Sequence, residues 1–372
     1  MKICHIINSL GNGGAEKNLV RLCLNQSKKN NIIIITLKKK NFFKKILKNK
    51  NIKIIYFDFE LNLKLLKNFL LFFKTLNNEK PKVIFSWMFH ASLIATIFSF
   101  IKNVKLIWCI RHGNFIFMRT KFLTIIIGKI IMPLLSFIPN KIIYNSNFSK
   151  NYYEKIGYSK KKSKVIFNGF SKKIFKPNLK LKNEFKKKNK IKKNQIIFGY
   201  VARFNPQKNH YFLLSNLNKL KHKNNLNFKT ILIGGNVRYN KDLFKLIKRF
   251  NLKEEIIILP ETNKINLIYP IFDVNFLASS YGESFPNTLA EAMLSGVPCI
   301  SSYTGDSKNI IGNNGYLFKN DNQKKFISSV EKCLKDFRNK TLWNKIQNNC
   351  RKSIIKRFGI IKMIRKYELI TK

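Results

Sequence analysis

The stretch 274–301, VNFLASSYGESFPNTLAEAMLSGVPCIS, holds in one run the unit from which the chain is built. An apolar run at 274–277 has strand length. It gives way to Ala278-Ser279-Ser280 and to a loop containing Glu283, with Ser284 as the N-cap and Pro286 in the first helical turn. The helix is expected to run to Ser295, because Gly296 suits a helix C-terminus and Pro298 opens the next strand. Strand, loop, helix, strand is the repeat of a parallel α/β sheet.

Working outward, short apolar runs at 2–8, 31–37, 52–57, 82–86, 105–110, 141–145 and 164–166 form one strand series. A second comprises 195–201, 228–233, 256–259, 274–277 and 298–301. Amphipathic stretches lie between them, so the fold class is α/β. The series are separated by 176–194, KPNLKLKNEFKKKNKIKKN, which is rich in lysine, nearly lacks an apolar face and reads as a linker. The expectation is two Rossmann-like domains, 1–175 and 195–355, whose parallel sheets face a central cleft. Ligands bind beyond the carboxyl ends of such strands.

A chain of 372 residues is long enough for two cores. Its 72 Lys and Arg against 18 Asp and Glu give a net charge of +54, which points to a polyanionic partner. The excess is mostly lysine and travels with asparagine and isoleucine, residues that an AT-rich genome over-encodes, so part of the charge is compositional. No zinc-finger spacing, RRM signature or basic-region heptad favours nucleic acid. An anionic membrane surface fits better, since each lysine near such lipids contributes about 1 kcal/mol. The apolar segment 122–138, FLTIIIGKIIMPLLSFI, is short and interrupted by Lys129 and Pro133. It is expected to pack in its domain or lie on a membrane rather than cross one. The six cysteines are scattered without a C-x-x-C pair, a reduced, cytosolic pattern with no metal cage. The first residues read as a strand rather than a signal peptide.

Three loops carry chemistry. Asn8-Ser9-Leu10-Gly11-Asn12-Gly13-Gly14-Ala15-Glu16 follows the first strand; its glycines permit close backbone approach, and the helix N-terminus behind them favours an anion. Arg203 and Lys208 follow the first strand of the second series, where Arg can grip a phosphate bidentately and Lys can serve as a point charge. Glu283 and Glu291 bracket the helix start of the opening stretch. At a rise of ~1.5 Å per residue they lie on the order of 10 Å apart. That is wider than the carboxylate pair of a retaining glycosidase. It suits a long ligand held at both ends, with the amides of Phe285, Pro286, Asn287 and Thr288 meeting an anion between them. A sugar–diphosphate–ribose has this order of groups.

The E-x7-E spacing from Glu283 to Glu291 continues into Ala292-Met293 and Gly296-Val297-Pro298. It joins Gly13-Gly14-Ala15-Glu16, Val165-Ile166-Phe167-Asn168-Gly169-Phe170, Arg203 with Lys208, Leu232-Ile233-Gly234-Gly235, and Gly305-Asp306 ahead of Gly315-Tyr316-Leu317-Phe318. In that order these landmarks resemble retaining glycosyltransferases of the glycosyltransferase family 4 type, with the GT-B fold. The resemblance implies His112 and Glu283 as the catalytic residues. Donor binding would fall to Gly13, Gly14, Arg203, Lys208, Glu283, the 285–288 segment and Glu291, with His90 on the acceptor side. Glu283 would meet the donor sugar and Glu291 the ribose, while Arg203 and Lys208 would neutralise the leaving diphosphate. It also implies a C-terminal helix, 356–372, packing back on the N-terminal domain, and no obligate metal; the sequence offers no Asp-x-Asp pair. Ser284 replaces a frequent glycine, and Arg111 stands beside His112. The expected partners are a nucleoside diphosphate sugar (UDP before GDP), a lipid-linked or polysaccharide acceptor, and the cytoplasmic face of an anionic membrane. The alternatives are a GT-B nucleotide-sugar 2-epimerase and a non-enzymatic polyanion-binding protein.

Overall fold

The computed structural model describes all residues except 49–50, 60–64, 117–118, 193, 224–225 and 372. The chain divides into two compact units, Met1–Gly169 with Ile361–Lys372, and Phe170–Ile360.

The first unit is built on β1 (Lys2–Ile7), β2 (Asn31–Thr36), β3 (Ile52–Tyr56), β4 (Val83–Trp87), β5 (Lys105–Ile110), β6 (Lys141–Tyr144) and β7 (Ser163–Val165). All pair in parallel, in the order β3-β2-β1-β4-β5-β6-β7. Near-continuous runs of Ile and Val suit strands covered on both faces, and β1, β2, β4 and β5 are buried almost throughout. Ile7 lies opposite both Thr36 and Trp87, so the loops after β1, β2 and β4 leave the sheet at one edge.

The second unit uses β8 (Ile196–Val201), β9 (Phe228–Ile233), β10 (Ile256–Leu259), β11 (Val274–Leu277), β12 (Cys299–Ser302) and β13 (Tyr316–Phe318), again all parallel, ordered β10-β9-β8-β11-β12-β13. Its core is aromatic: Phe198 and Phe276 meet at 4.9 Å, and Phe318 stands edge-on to Phe326 at 5.1 Å. Strand β13 was not among the expected strands; only its motif stood out.

The 176–194 segment differs from a linker. Leu179–Lys188 is a helix within the second unit, with the Asn178 side chain accepting the Leu181 N–H at 3.0 Å. Residue 193 of that stretch lies outside the described residues. Leu181, Lys182, Phe185 and Lys186 make its half-buried stripe, and Lys182 reaches the buried Asp273 at 2.5 Å. Two of the four stripe positions are lysines whose stems cover apolar surface, so the pattern looks polar. The division between units falls at Gly169 and Ile361 rather than at 175 and 356. Of the C-terminal helix Ile360–Thr371, all but the first residue belong with the first unit, where Tyr367 is fully buried; residue 372 of the expected 356–372 helix is not described.

The 122–138 segment forms a helix at Phe122–Ile126, a π-turn at Ile127–Ile131 and a further helical turn at Met132–Leu135. Ile127, Gly128 and Met132 are buried, whereas Phe122, Leu123, Ile130, Leu134 and Phe137 are exposed. Among the described residues no helix is long and apolar enough to cross a membrane.

Candidate functional site

In both sheets the chain winds outward in one direction and then in the other, so the strand order reverses between β1 and β4 and between β8 and β11. The crevice beyond the carboxyl ends at such a point is where α/β sheets take ligands. The sequence-selected residues lie on loops and helices that follow strands of these two sheets, each within its own unit.

In the second unit, β8 runs into Arg203 and the short 3-10 turn Pro206–Lys208, whose Asn205 side chain accepts the Lys208 N–H at 3.1 Å. Asn209 adopts a left-handed conformation and donates from Nδ2 to Ser280 Oγ at 2.8 Å and to Asp321 Oδ1 at 2.7 Å. Ser280 Oγ itself donates to Asp321 at 2.9 Å. Asp321, just past β13, therefore fastens the loop after β8 to the loop after β11. Sequence reading missed it, although a carboxylate in so acid-poor a chain was a usable signal.

The loop after β11 carries Glu283, which is 8 % exposed. Its Oε1 accepts from Ser279 Oγ at 2.8 Å and forms an ion pair with Lys208 Nζ. The two residues expected at neighbouring parts of a ligand, sugar and diphosphate, thus touch each other. Tyr200 lies fully buried beneath them and donates to the Lys208 carbonyl; burial first, and then the charge of Glu283, raise its phenol far above the ordinary range. Arg203 is exposed, and its stem lies along Gly235. That approach depends on Gly234, at φ +155°, where a Cβ would stand 2.2 Å from the Ala202 carbonyl oxygen.

The helix following Glu283 is Asn287–Leu294, so it begins three residues beyond the expected cap. Ser284 instead gives its carbonyl to Asp306 N–H at 2.9 Å, and Pro286 holds extended backbone before the first turn. Gly305, at φ +54°, makes this possible, since a Cβ there would lie 2.4 Å from the Ser284 oxygen and 2.5 Å from that of Glu283. Pro286 lacks an N–H, which leaves Phe285, Asn287 and Thr288 as amide carriers in the expected anion segment. Glu291 is buried within the helix and accepts from Tyr269 hydroxyl at 3.1 Å, a partner not foreseen in the sequence.

The crevice of the first unit has a different character. Gly13 caps the helix Gly14–Gln26 in extended conformation. The Glu16 carboxylate folds back so closely that a Cβ at Gly13 would meet its Oε2 at 2.3 Å. The anion nearest this helix N-terminus is the chain's own. His90 is the second residue of the helix Phe89–Lys102, half-buried, with its pKa lowered by burial and then by Lys38 and Lys121. Met88 ahead of it has φ +70°, a strained conformation for a non-glycine residue. His112 follows β5. Its Nδ1 lies 2.8 Å from Tyr153 hydroxyl, its ring is 5.0 Å from Phe115 and 5.7 Å from Phe89, and burial lowers its pKa to about 4. It is therefore neutral at pH 7.

Arg111 turns inward, donating to Tyr367 hydroxyl and to Asn168 Oδ1 at 3.2 Å while lying over Trp87. It anchors the C-terminal helix, a role the sequence did not suggest. His5 is also structural: Trp87 Nε1 donates to its Nδ1 at 3.1 Å, so Nε2 carries the proton toward Gln26 Oε1 at 2.8 Å. Among the described residues no three His, Cys, Asp or Glu side chains gather as a metal site.

Residues 182–354 match the family model described as glycosyl transferases group 1. The chain is 28% identical over 209 residues to the UDP-Gal:alpha-D-GlcNAc-diphosphoundecaprenol alpha-1,3-galactosyltransferase of Escherichia coli, covering 55% of this chain and 52% of that protein. It is 29% identical over 167 residues to the capsular polysaccharide biosynthesis glycosyltransferase CapH of Staphylococcus aureus, covering 44% and 43%. The chain thus spans about half or less of the length of the curated relatives it matches. Among solved structures, Anabaena HepE in complex with UDP-glucose aligns with a TM-score of 0.86 at 20% identity, over 99% of this chain and 98% of that one. The fold is GT-B.

Proposed function

We propose that the chain is a retaining glycosyltransferase of the family 4 type that moves a sugar from a nucleoside diphosphate donor to a lipid-linked or surface-polysaccharide acceptor. The observation that carries this reading is the meeting of Lys208 and Glu283 at the β8/β11 crevice, with Arg203 at its mouth. Cations there suit a diphosphate, whose charge grows as the sugar departs. Lys208 and Ser279 both meet the Glu283 carboxylate on Oε1, and a sugar hydroxyl can donate to its Oε2. Amides of Phe285, Asn287 and Thr288 add donors for the phosphates, Glu291 takes the ribose, and Gly13 and Gly14 are assigned to donor binding. Charge neutralisation by Arg203 and Lys208 is expected to need no obligate metal.

UDP is favoured because the E. coli relative is named for UDP-Gal and HepE was solved with UDP-glucose. The diphosphoundecaprenol in that relative's name supports a lipid-linked acceptor. His112 is assigned to the reacting sugar as a neutral hydrogen-bonding group and His90 to the acceptor. The exposed Phe122, Leu123, Ile130, Leu134 and Phe137, with Lys121 and Lys129 among them, support attachment to the cytoplasmic face of an anionic membrane. Binding to anionic but not neutral vesicles at low salt tests that part; indifference to both removes it.

The function is tested with a panel of UDP- and GDP-sugars. At 100 times its Kd a true donor stabilises the native state by about 2.7 kcal/mol and raises the melting temperature accordingly. The same donor should be consumed only when an acceptor is added, with the anomeric configuration retained. A panel in which no sugar nucleotide shifts the melt contradicts the proposal, and consumption without acceptor points to an epimerase.

A further inference from the structure

Lys208 and Glu283 are both largely withdrawn from solvent in the β8/β11 crevice, with side chains 16% and 10% exposed. Their backbones are fixed relative to each other, because Asn209, Ser280 and Asp321 bind the two loops together. Ser279 steadies Glu283 on the same oxygen that meets Lys208. The ion pair is thus built in rather than a chance meeting of two long surface side chains. Its consequence is electrostatic. A lysine paired at contact distance has its charge largely cancelled, and an arriving diphosphate meets both a neutralised cation and a carboxylate of its own sign.

We infer that the Lys208–Glu283 pair is an internal competitor of the diphosphate, which makes the site prefer a nucleoside diphosphate sugar over the bare nucleoside diphosphate. The inference deepens the proposed function and rests on it. Sugar hydroxyls give Glu283 donors in exchange for the ammonium, and Lys208 is then released to the phosphates. Once the sugar has been transferred, Glu283 has no hydroxyl to hold and returns to Lys208. The displaced contact and the like charge of the carboxylate both weaken the hold on the diphosphate product. Glu283 is on this view a specificity residue for the sugar-bearing ligand and an aid to product release.

Calorimetric titration of the full chain with UDP, GDP and inorganic pyrophosphate decides the matter, using wild type, Glu283→Gln, Lys208→Met and the double variant. Glutamine keeps the shape and can still accept from Ser279, but has no charge with which to hold the lysine. The expected result is that E283Q binds the wild type's preferred nucleoside diphosphate about tenfold more tightly. Pyrophosphate should show the same gain, and K208M should abolish it. For the sugar nucleotide that stabilises the wild type most, the gain should be smaller or reversed. If E283Q melts early, Glu283→Asp, one methylene short of the lysine, replaces it and should bind the diphosphate more tightly than wild type. Unchanged or weaker diphosphate binding by a folded variant overturns the inference while leaving the proposed function standing. So does an equal gain in the K208M background, or an equal gain for the sugar nucleotide. Failure of the wild type to bind any nucleoside diphosphate or sugar nucleotide overturns both.

Discussion

The two sheets share one strand order around their switch points, β3-β2-β1-β4-β5-β6 and β10-β9-β8-β11-β12-β13, yet the crevices they open are chemically unlike. Beyond β8 and β11 stand Arg203, Lys208, Glu283 and Asp321, and hydrogen bonds tie their loops to one another. Beyond β1, β4 and β5 stand glycines and histidines, and Arg111, directly after β5, is turned inward to Tyr367. His5 and His112 are held at about 4 by burial and carry no charge near neutral pH. The topology decides where loops converge, and the residues on those loops decide what can bind. The crevices share one device: a carboxylate of the chain stands where an anion is expected, Glu16 against the Gly13 turn and Glu283 on Lys208.

Acid should separate the two units most strongly. His5 and His112 in the first unit and His210 in the second each have a folded pKa lowered to about 4, chiefly by burial. An unfolded histidine takes up its proton below about 6.5 while the folded one does not, so stability falls as pH drops from there toward 4. By pH 5 each histidine costs about 2 kcal/mol, about 4 in the first unit against about 2 in the second. Hydrogen exchange of β1 and β2 should therefore accelerate before that of β8 and β9, and the reverse order would break the contrast.

Gly305→Ala strikes the second crevice. A Cβ there would collide with the backbone of Ser284 and Glu283, and the variant should lose about 3 kcal/mol in urea unfolding. Substituting the inward and the outward cation comes next. Lys208→Met should weaken nucleoside diphosphate binding about 100-fold, and it also costs stability because the buried Glu283 carboxylate loses its cation. Arg111→Met should leave that binding alone and cost about 2 kcal/mol of the first unit's stability, through lost contacts to Tyr367, Asn168 and Trp87. Calorimetry and urea melts on both variants read the difference. The smallest effect is expected for Tyr153→Phe, which removes the hydroxyl beside His112 at a cost of about 1 kcal/mol.

The fold was legible because strands buried on both faces read as unbroken runs, as in Asn31–Thr36 and Val83–Trp87. Strand β13 has three residues, too few for a periodic signal, and Leu179–Lys188 hides half its stripe in lysine stems. The helix cap moved from Ser284 to Pro286 for a tertiary reason, the approach of Gly305 and Asp306, which no local propensity encodes. Arg203, Lys208 and Glu283 were legible as polar residues just past strand ends. That Lys208 and Glu283 bind each other, across 75 positions of sequence, was not, and neither was Asp321, whose partners are 41 and 112 positions away.

The central claim is that the β8/β11 crevice of the second unit takes the diphosphate of the donor. Hydrogen–deuterium exchange with and without saturating UDP tests it directly. Slower exchange concentrated at 203–209 and 283–289 is the predicted result. Protection confined to other segments, or none at all with UDP shown to be bound, would contradict it.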